Sequence, residues 1–229
     1  MSKDNDDRNL NDDLVLKGMQ PLRSARDMNM RSEDPCRRYI IINNRMVMTK
    51  SEHQATAFLN ISCHPKFLAI HDHPQSIAYT DDNGVQHYCT PDARVTMKDG
   101  LVIVVLVKSH REASQPDFLQ MVEHIAEQMT ADDGDIISII TERSYSKVQT
   151  MNCKTINWAR RASDLEADYA VESIIKDMSG SITIEALLKA IDLGSRGFAA
   201  AVRAIDRGSL NFQSDQLLAS DTPVFPLRI

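Results

Sequence analysis

Three charged side chains stand where they can act on a phosphodiester. Glu52 opens a helix with an apolar stripe, Asp92 follows Thr90-Pro91 at a strand end, and Lys108 closes the apolar run 101–107. Cutting a phosphodiester needs a cation that neutralises charge on the phosphoryl group and activates a water. Magnesium prefers oxygen ligands, commonly one or two carboxylates with water completing the shell. Asp92 and Lys108 lie on the two arms of one hairpin, so both can point into one site, and Glu52 can add a second carboxylate. The lysine would orient the water or steady the developing charge. The same spacing also suits a surface hairpin with ordinary charged ends.

The elements that must hold these groups are legible from periodicity. Thr49 or Ser51 can cap a helix through residue 62, with Ala55, Phe58, Leu59 and Ser62 buried. Glu52 precedes Ala55 by three residues and so falls on nearly the same face. His64-Pro65 stops that helix. Strands are expected over 38–42, 46–48, 66–70, 76–80, 86–97 and 101–107. Asp81-Asp82-Asn83-Gly84 is a hairpin turn. Pro91 inside 86–97 marks an edge or a bulge, because proline cannot donate to a ladder. A helix over 116–129, with Asp117 in its first turn, leads to a strand over 136–140. Strand, helix, strand in that order implies a right-handed crossover and parallel neighbours. A further helix over 146–161 carries Trp158, read as packing.

From residue 164 the composition changes. Helices are expected over 164–178, 184–191 and 196–205, the last capped by Ser195 and ended by Gly208. Segments 209–212 and 222–225 can pair as a ribbon, and three helices with a ribbon make a winged helix. Arg196, Arg203 and Arg207 on the last helix are candidate DNA contacts. Its small apolar run from Gly197 to Val202 equally suits docking on protein.

Composition bounds the rest. The chain has 229 residues, 42% of them apolar, which supports a real core. It lacks an apolar run of about 18 residues, so no membrane span is expected. Its start is polar and acidic, so no secretory signal is expected. Asp4, Asp6, Asp7, Asp12 and Asp13 crowd residues 1–35, which read as a disordered tail with a possible docking patch at Leu14-Val15-Leu16. Four cysteines without C-x-x-C spacing read as free thiols of a cytosolic protein. A formal charge of -6 means that DNA would be met by local basic patches or with a partner's help. Cys63, His64, His71 and His73 lack the paired spacing of a zinc site. His110 is a candidate base, as histidines commonly are, although Ser109 to Glu112 read as a solvated loop.

The run from Ser51-Glu52 through His73-Pro74, Tyr79, Gly84, Tyr88 and Thr90-Pro91-Asp92 to Val105-Leu106-Val107-Lys108 resembles the TnsA transposon-end endonucleases. These belong to the restriction-endonuclease-like PD-(D/E)xK group. The likeness continues through Ile140-Thr141-Glu142, Asn157 and Gly180-Ser181-Ile182-Thr183, covering about residues 38–229. It implies an α/β fold: a restriction-endonuclease-like mixed sheet flanked by helices over 36–163, and a small winged-helix domain over 164–229. It implies Glu52, Asp92 and Lys108 as catalytic residues, magnesium or manganese as cofactor, and hydrolysis of one DNA strand at each transposon end. The implied partners are transposon-end DNA, an integrase-type transposase and an ATP-dependent regulator. Where the family carries Glu, Asp or Gln two residues before the lysine, this chain has Leu106, whose side chain cannot ligate a hard cation. Only a backbone carbonyl, of Leu106 or Val107, would remain there. Two expectations follow: a working endonuclease, or a weakened or inactive nuclease fold that binds DNA and assembles a transposition complex. A scaffold, or a phage or defence nuclease on the same fold, is a further class.

Overall fold

The computed structural model describes residues 38–72 and 74–227. The expected acidic tail, Cys36 and His73 lie outside the described residues. Arg38–Ile42 (β1) and Arg45–Thr49 (β2) pair as an antiparallel hairpin around Asn43-Asn44, both at positive φ. Asparagine tolerates that region better than most residues. The helix Glu52–Ser62 (α1) starts on Ser51, whose Oγ accepts from Gln54 N at 3.0 Å. Of the two candidate caps, Ser51 is therefore the one used. Ala55, Ala57, Phe58, Leu59 and Ser62 are buried along it.

Next come Phe67–Asp72 (β3), Ile77–Thr80 (β4), Gln86–Cys89 (β5), Ala93–Met97 (β6) and Val102–Val107 (β7). The single strand expected over 86–97 is two strands in two sheets. Among the described residues β5 pairs with β4 alone, whereas β6 lies between β3 and β7. Thr90-Pro91-Asp92 is the transfer point. Pro91 has no N–H to continue a ladder, and pairing resumes at Asp92, whose N–H donates to Val105 O at 2.9 Å.

His110–Ala113 (α2), Pro116–Gln128 (α3), Ile136–Ile140 (β8) and Lys147–Arg161 (α4) follow. The loop expected at Ser109 to Glu112 is instead the start of α2. Ser109 Oγ accepts from Glu112 N while the Glu112 carboxylate accepts from Ser109 N, a reciprocal cap. The four-stranded sheet runs β3-β6-β7-β8 and is mixed, with β7 and β8 parallel as the crossover through α3 requires. Val104, Val105 and Leu106 are almost fully buried, because both faces of β7 are covered.

The remaining chain is Leu165–Asp177 (α5), Ile182–Thr183 (β9), Ile184–Ile191 (α6), Gly194–Arg207 (α7), Leu210–Asn211 (β10) and Pro223–Pro226 (β11). The ribbon has a third strand that periodicity could not show: β9 is two residues long, and the order is β10-β11-β9. α7 begins earlier than expected, with Leu193 at the cap position and Ser195 inside the first turn. Gly197 lets α7 approach α6. A Cβ there would stand 2.7 Å from Ile191 Cδ1 and 2.9 Å from Leu188 Cδ2.

Among the described residues two large apolar clusters carry most of the burial, and a third gathers Ile77, Val104 and Ile125. Of the two large ones, one gathers Phe58, Ile70, Val95 and Val105 around the sheet. The other gathers Val171, Ile184, Leu187, Ala200, Leu210 and Val224 between the C-terminal helices and ribbon. α4 serves both: Ala159 belongs to the second cluster, while Thr150 Oγ1 accepts from Asn60 Nδ2 of α1 at 3.1 Å. Trp158 is not packed as expected; it is 48% exposed. Among the described residues, no helix is long and apolar enough to cross a membrane.

Candidate functional site

The C-terminal end of β7 and the transfer point before β6 set the site. Asp92 leaves Pro91 with its carboxylate turned toward β7, where Oδ2 accepts from Val107 N at 2.6 Å. Its Oδ1 accepts from Gln54 Nε2 at 3.0 Å. Gln54 is 3% exposed, and its Oε1 accepts in turn from Lys50 N at 2.6 Å. That second bond fixes the amide, leaving its NH₂ edge to face the acid. A neutral donor, locked at both ends, is therefore what α1 offers to Asp92.

Glu52 is elsewhere. At 3.6 residues per turn, two positions rotate a side chain by about 200° around a helix. Glu52 consequently faces away from Gln54, with its side chain 57% exposed and paired to Arg38 Nη1 at 2.5 Å. The structure brings Asp92 together with Gln54 and the Val107 amide, and it does not bring Glu52 to them. The proximity of Glu52 to Ala55 in the helical wheel was too coarse a guide, since Ala55 lies within the buried stripe. The sharper signal is Ser51-x-x-Gln54, the S-x-x-Q pattern of a helix start, whose third-position side chain folds back on the preceding backbone; here Gln54 Oε1 accepts from Lys50 N.

Lys108 is half-buried just beyond β7, its N–H donating to Ile140 O at 3.0 Å. Its charge and that of Asp92 both reach Cys89. Burial chiefly pushes the Cys89 thiol up, Asp92 pushes it further, and Lys108 draws it down. Leu106 is 2% exposed inside the sheet. Around the strand ends stand His53, His110, Glu112 and Glu142. Glu112 is held below the usual carboxylate range first by its bonds to Ser109, and then by Lys108 and His53. Glu142 is lowered by backbone amides, including His110 N at 2.8 Å, and by the two histidines. His53 Nε2 is buried without a partner among the described residues.

These residues do not make a fit for magnesium or manganese. Among the described residues, no three His, Cys, Asp or Glu side chains converge as a metal set. Asp92 already serves two donors, its helix neighbour is an amide presenting hydrogens, and the position two before Lys108 is a buried hydrocarbon. A hard cation wants several oxygens at once.

The arginines expected to meet DNA are engaged by protein. Arg196 pairs with Asp164 at 2.6 Å and with Glu166 at 2.5 Å. Arg203, its side chain 7% exposed, pairs with Asp168 at 2.7 Å and donates to the carbonyls of Ala159 and Ala162. Arg207 pairs with Asp168 and with Glu172 at 3.0 Å. Together they pin α7 against α5. Gly197 and Ala199 to Val202 of α7 are buried as well, around most of the helix's circumference.

No family model matches this chain, and no curated protein matches it.

Proposed function

We propose that this chain is a TnsA-like, restriction-endonuclease-fold subunit of a heteromeric transposition complex in the bacterial cytoplasm, binding transposon-end DNA and partner proteins with its cleavage centre silenced. The observation that carries the silencing is the Asp92 carboxylate closed between Gln54 Nε2 and Val107 N, with Leu106 buried beside it. One acid and one lysine survive of a constellation that needs several oxygen ligands. The mixed sheet, with its antiparallel hairpin feeding a parallel crossover, supports the nuclease-fold reading. The succession α5-β9-α6-α7-β10-β11 with a three-stranded sheet supports the winged-helix reading. The partners on this reading are an integrase-type transposase and an ATP-dependent regulator. With Arg196, Arg203 and Arg207 occupied, the winged helix serves docking rather than base readout.

A second reading, an endonuclease using magnesium or manganese, draws on one observation. Asp92 accepts from Val107 N, one residue before Lys108, so the acid and the lysine stand at the same strand end. Backbone oxygens would then have to supply the ligands that side chains do not.

The discriminating experiment incubates transposon-end duplex with the full chain and its transposase, with magnesium or manganese, for the wild type and Asp92→Ala. Silencing predicts stable complexes and no nick attributable to this chain in either protein. Metal-dependent nicking by the wild type that Asp92→Ala abolishes would establish the second reading.

A further inference from the structure

A cleft of about 1010 Å³ runs beside the end of α1, along α4 and past the end of α7 and β10. Two thiols line it. Cys63 is the C-terminal cap of α1 and is partly exposed; its Sγ donates to Cys153 O at 3.8 Å. Cys153 on α4 is 4% exposed, and its Sγ donates to Asn60 Oδ1 at 3.6 Å. The Cys63 sulfur thus lies against the Cys153 backbone. The interaction with Cys153, helped by Arg160, draws the Cys63 thiol below its usual range, while the interaction with Cys63 and burial push Cys153 above it. A thiolate is the nucleophile in disulfide exchange, so exposure and charge assign different roles to the two sulfurs. Cys63 is reachable from the cleft and ionises first. Cys153 is shielded and positioned behind it.

We propose that Cys63 and Cys153 form a redox modification site, in which Cys63 takes up a low-molecular-weight disulfide from the cleft and Cys153 converts the adduct into a bond tying α1 to α4. With oxidised glutathione as the reactant, the Cys63 thiol gives its proton to water and its sulfur bonds to one sulfur of the reagent. The reagent's S–S bond breaks, and one glutathione leaves as a thiolate that takes up a proton. Cys153 then loses its proton and attacks Cys63 Sγ. The second glutathione departs and is protonated. Two protein thiols are oxidised, one small disulfide is reduced to two thiols, and the protons balance. Excess reduced glutathione runs the sequence backwards.

The test incubates the reduced, folded full chain with oxidised glutathione, quenches with acid, and maps the products by peptide mass spectrometry. The main product expected is the Cys63–Cys153 cross-linked peptide pair. Cys153→Ser is expected to accumulate a single glutathione on Cys63. In Cys63→Ser, Cys153 is expected to react at least about tenfold more slowly than Cys63 does in the wild type. Mapping the wild type requires no substitution, so the outcome stands even where serine weakens the core. Modification of Cys36 or Cys89 with no Cys63–Cys153 link would overturn the proposal, as would a Cys63 left unmodified in folded Cys153→Ser.

Discussion

A single amide decides the chemistry at the strand ends. Replacing Gln54 by Glu would set two carboxylates about 3 Å apart in a nearly buried place, where like charges cannot both ionise cheaply. One of them must titrate above its unfolded value. For an acid raised in the folded state, stability is lost above the unfolded pKa and recovered as pH falls. Gln54→Glu should therefore be less stable than the wild type at pH 8 by about 1–3 kcal/mol, with the gap closing near pH 4, as read by urea melts. Magnesium or manganese should narrow that gap at pH 8 in the variant alone. Glu52→Ala tests the opposite case. Its partner Arg38 is as exposed as it is, so the pair is worth about 1 kcal/mol or less, and denaturant midpoints should barely move.

The helix pair α5 and α7 is held by charge as well as by apolar packing. Arg203 crosses it deeply, joining Asp168 to the carbonyls that end α4. Arg203→Ala leaves those acceptors unmatched and should cost about 3 kcal/mol in equilibrium unfolding. Asp164 does two jobs, capping α5 through Ala167 N and pairing with Arg196. The Arg196 guanidinium first, and the capping amide second, draw its carboxyl down from 3.8 to about 2. The sign follows from that depression. Its contribution is complete above the unfolded value and is lost as pH falls through the folded one, between about 3.8 and 2. Acid titration of circular dichroism should show that loss in the wild type, and a flatter profile over that window in Asp164→Asn.

At the scale of the whole molecule, charge sets how the protein can meet DNA. A net charge of -6, with Arg196, Arg203 and Arg207 of the C-terminal region held in ion pairs, leaves little surface for sequence-independent phosphate binding. If the proposed function holds, anisotropy with labelled duplex should find weak binding with a shallow salt dependence by the chain alone, and a large gain when the proposed transposase partner is added.

How much was legible beforehand follows the same physics. Hydrophobic periodicity and caps placed α1, α3, α4 and the parallel β7–β8 pair. Periodicity does not say which of two neighbouring polar residues turns inward, so Glu52 was preferred to Gln54. Nor does it say whether a long arginine on an amphipathic helix reaches solvent or the next helix. Proline signalled a break at residue 91, but whether the chain bends within a sheet or leaves it depends on partners far away in sequence. β9 is too short to carry any alternation.

Silencing requires that Asp92 be closed to a cation. Isothermal titration of the full-length wild type with manganese, beside Asp92→Ala, reads this directly. The closed Gln54–Asp92–Val107 arrangement predicts no stoichiometric site and superimposable traces for the two proteins. A one-to-one manganese site in the wild type that disappears in Asp92→Ala would contradict it.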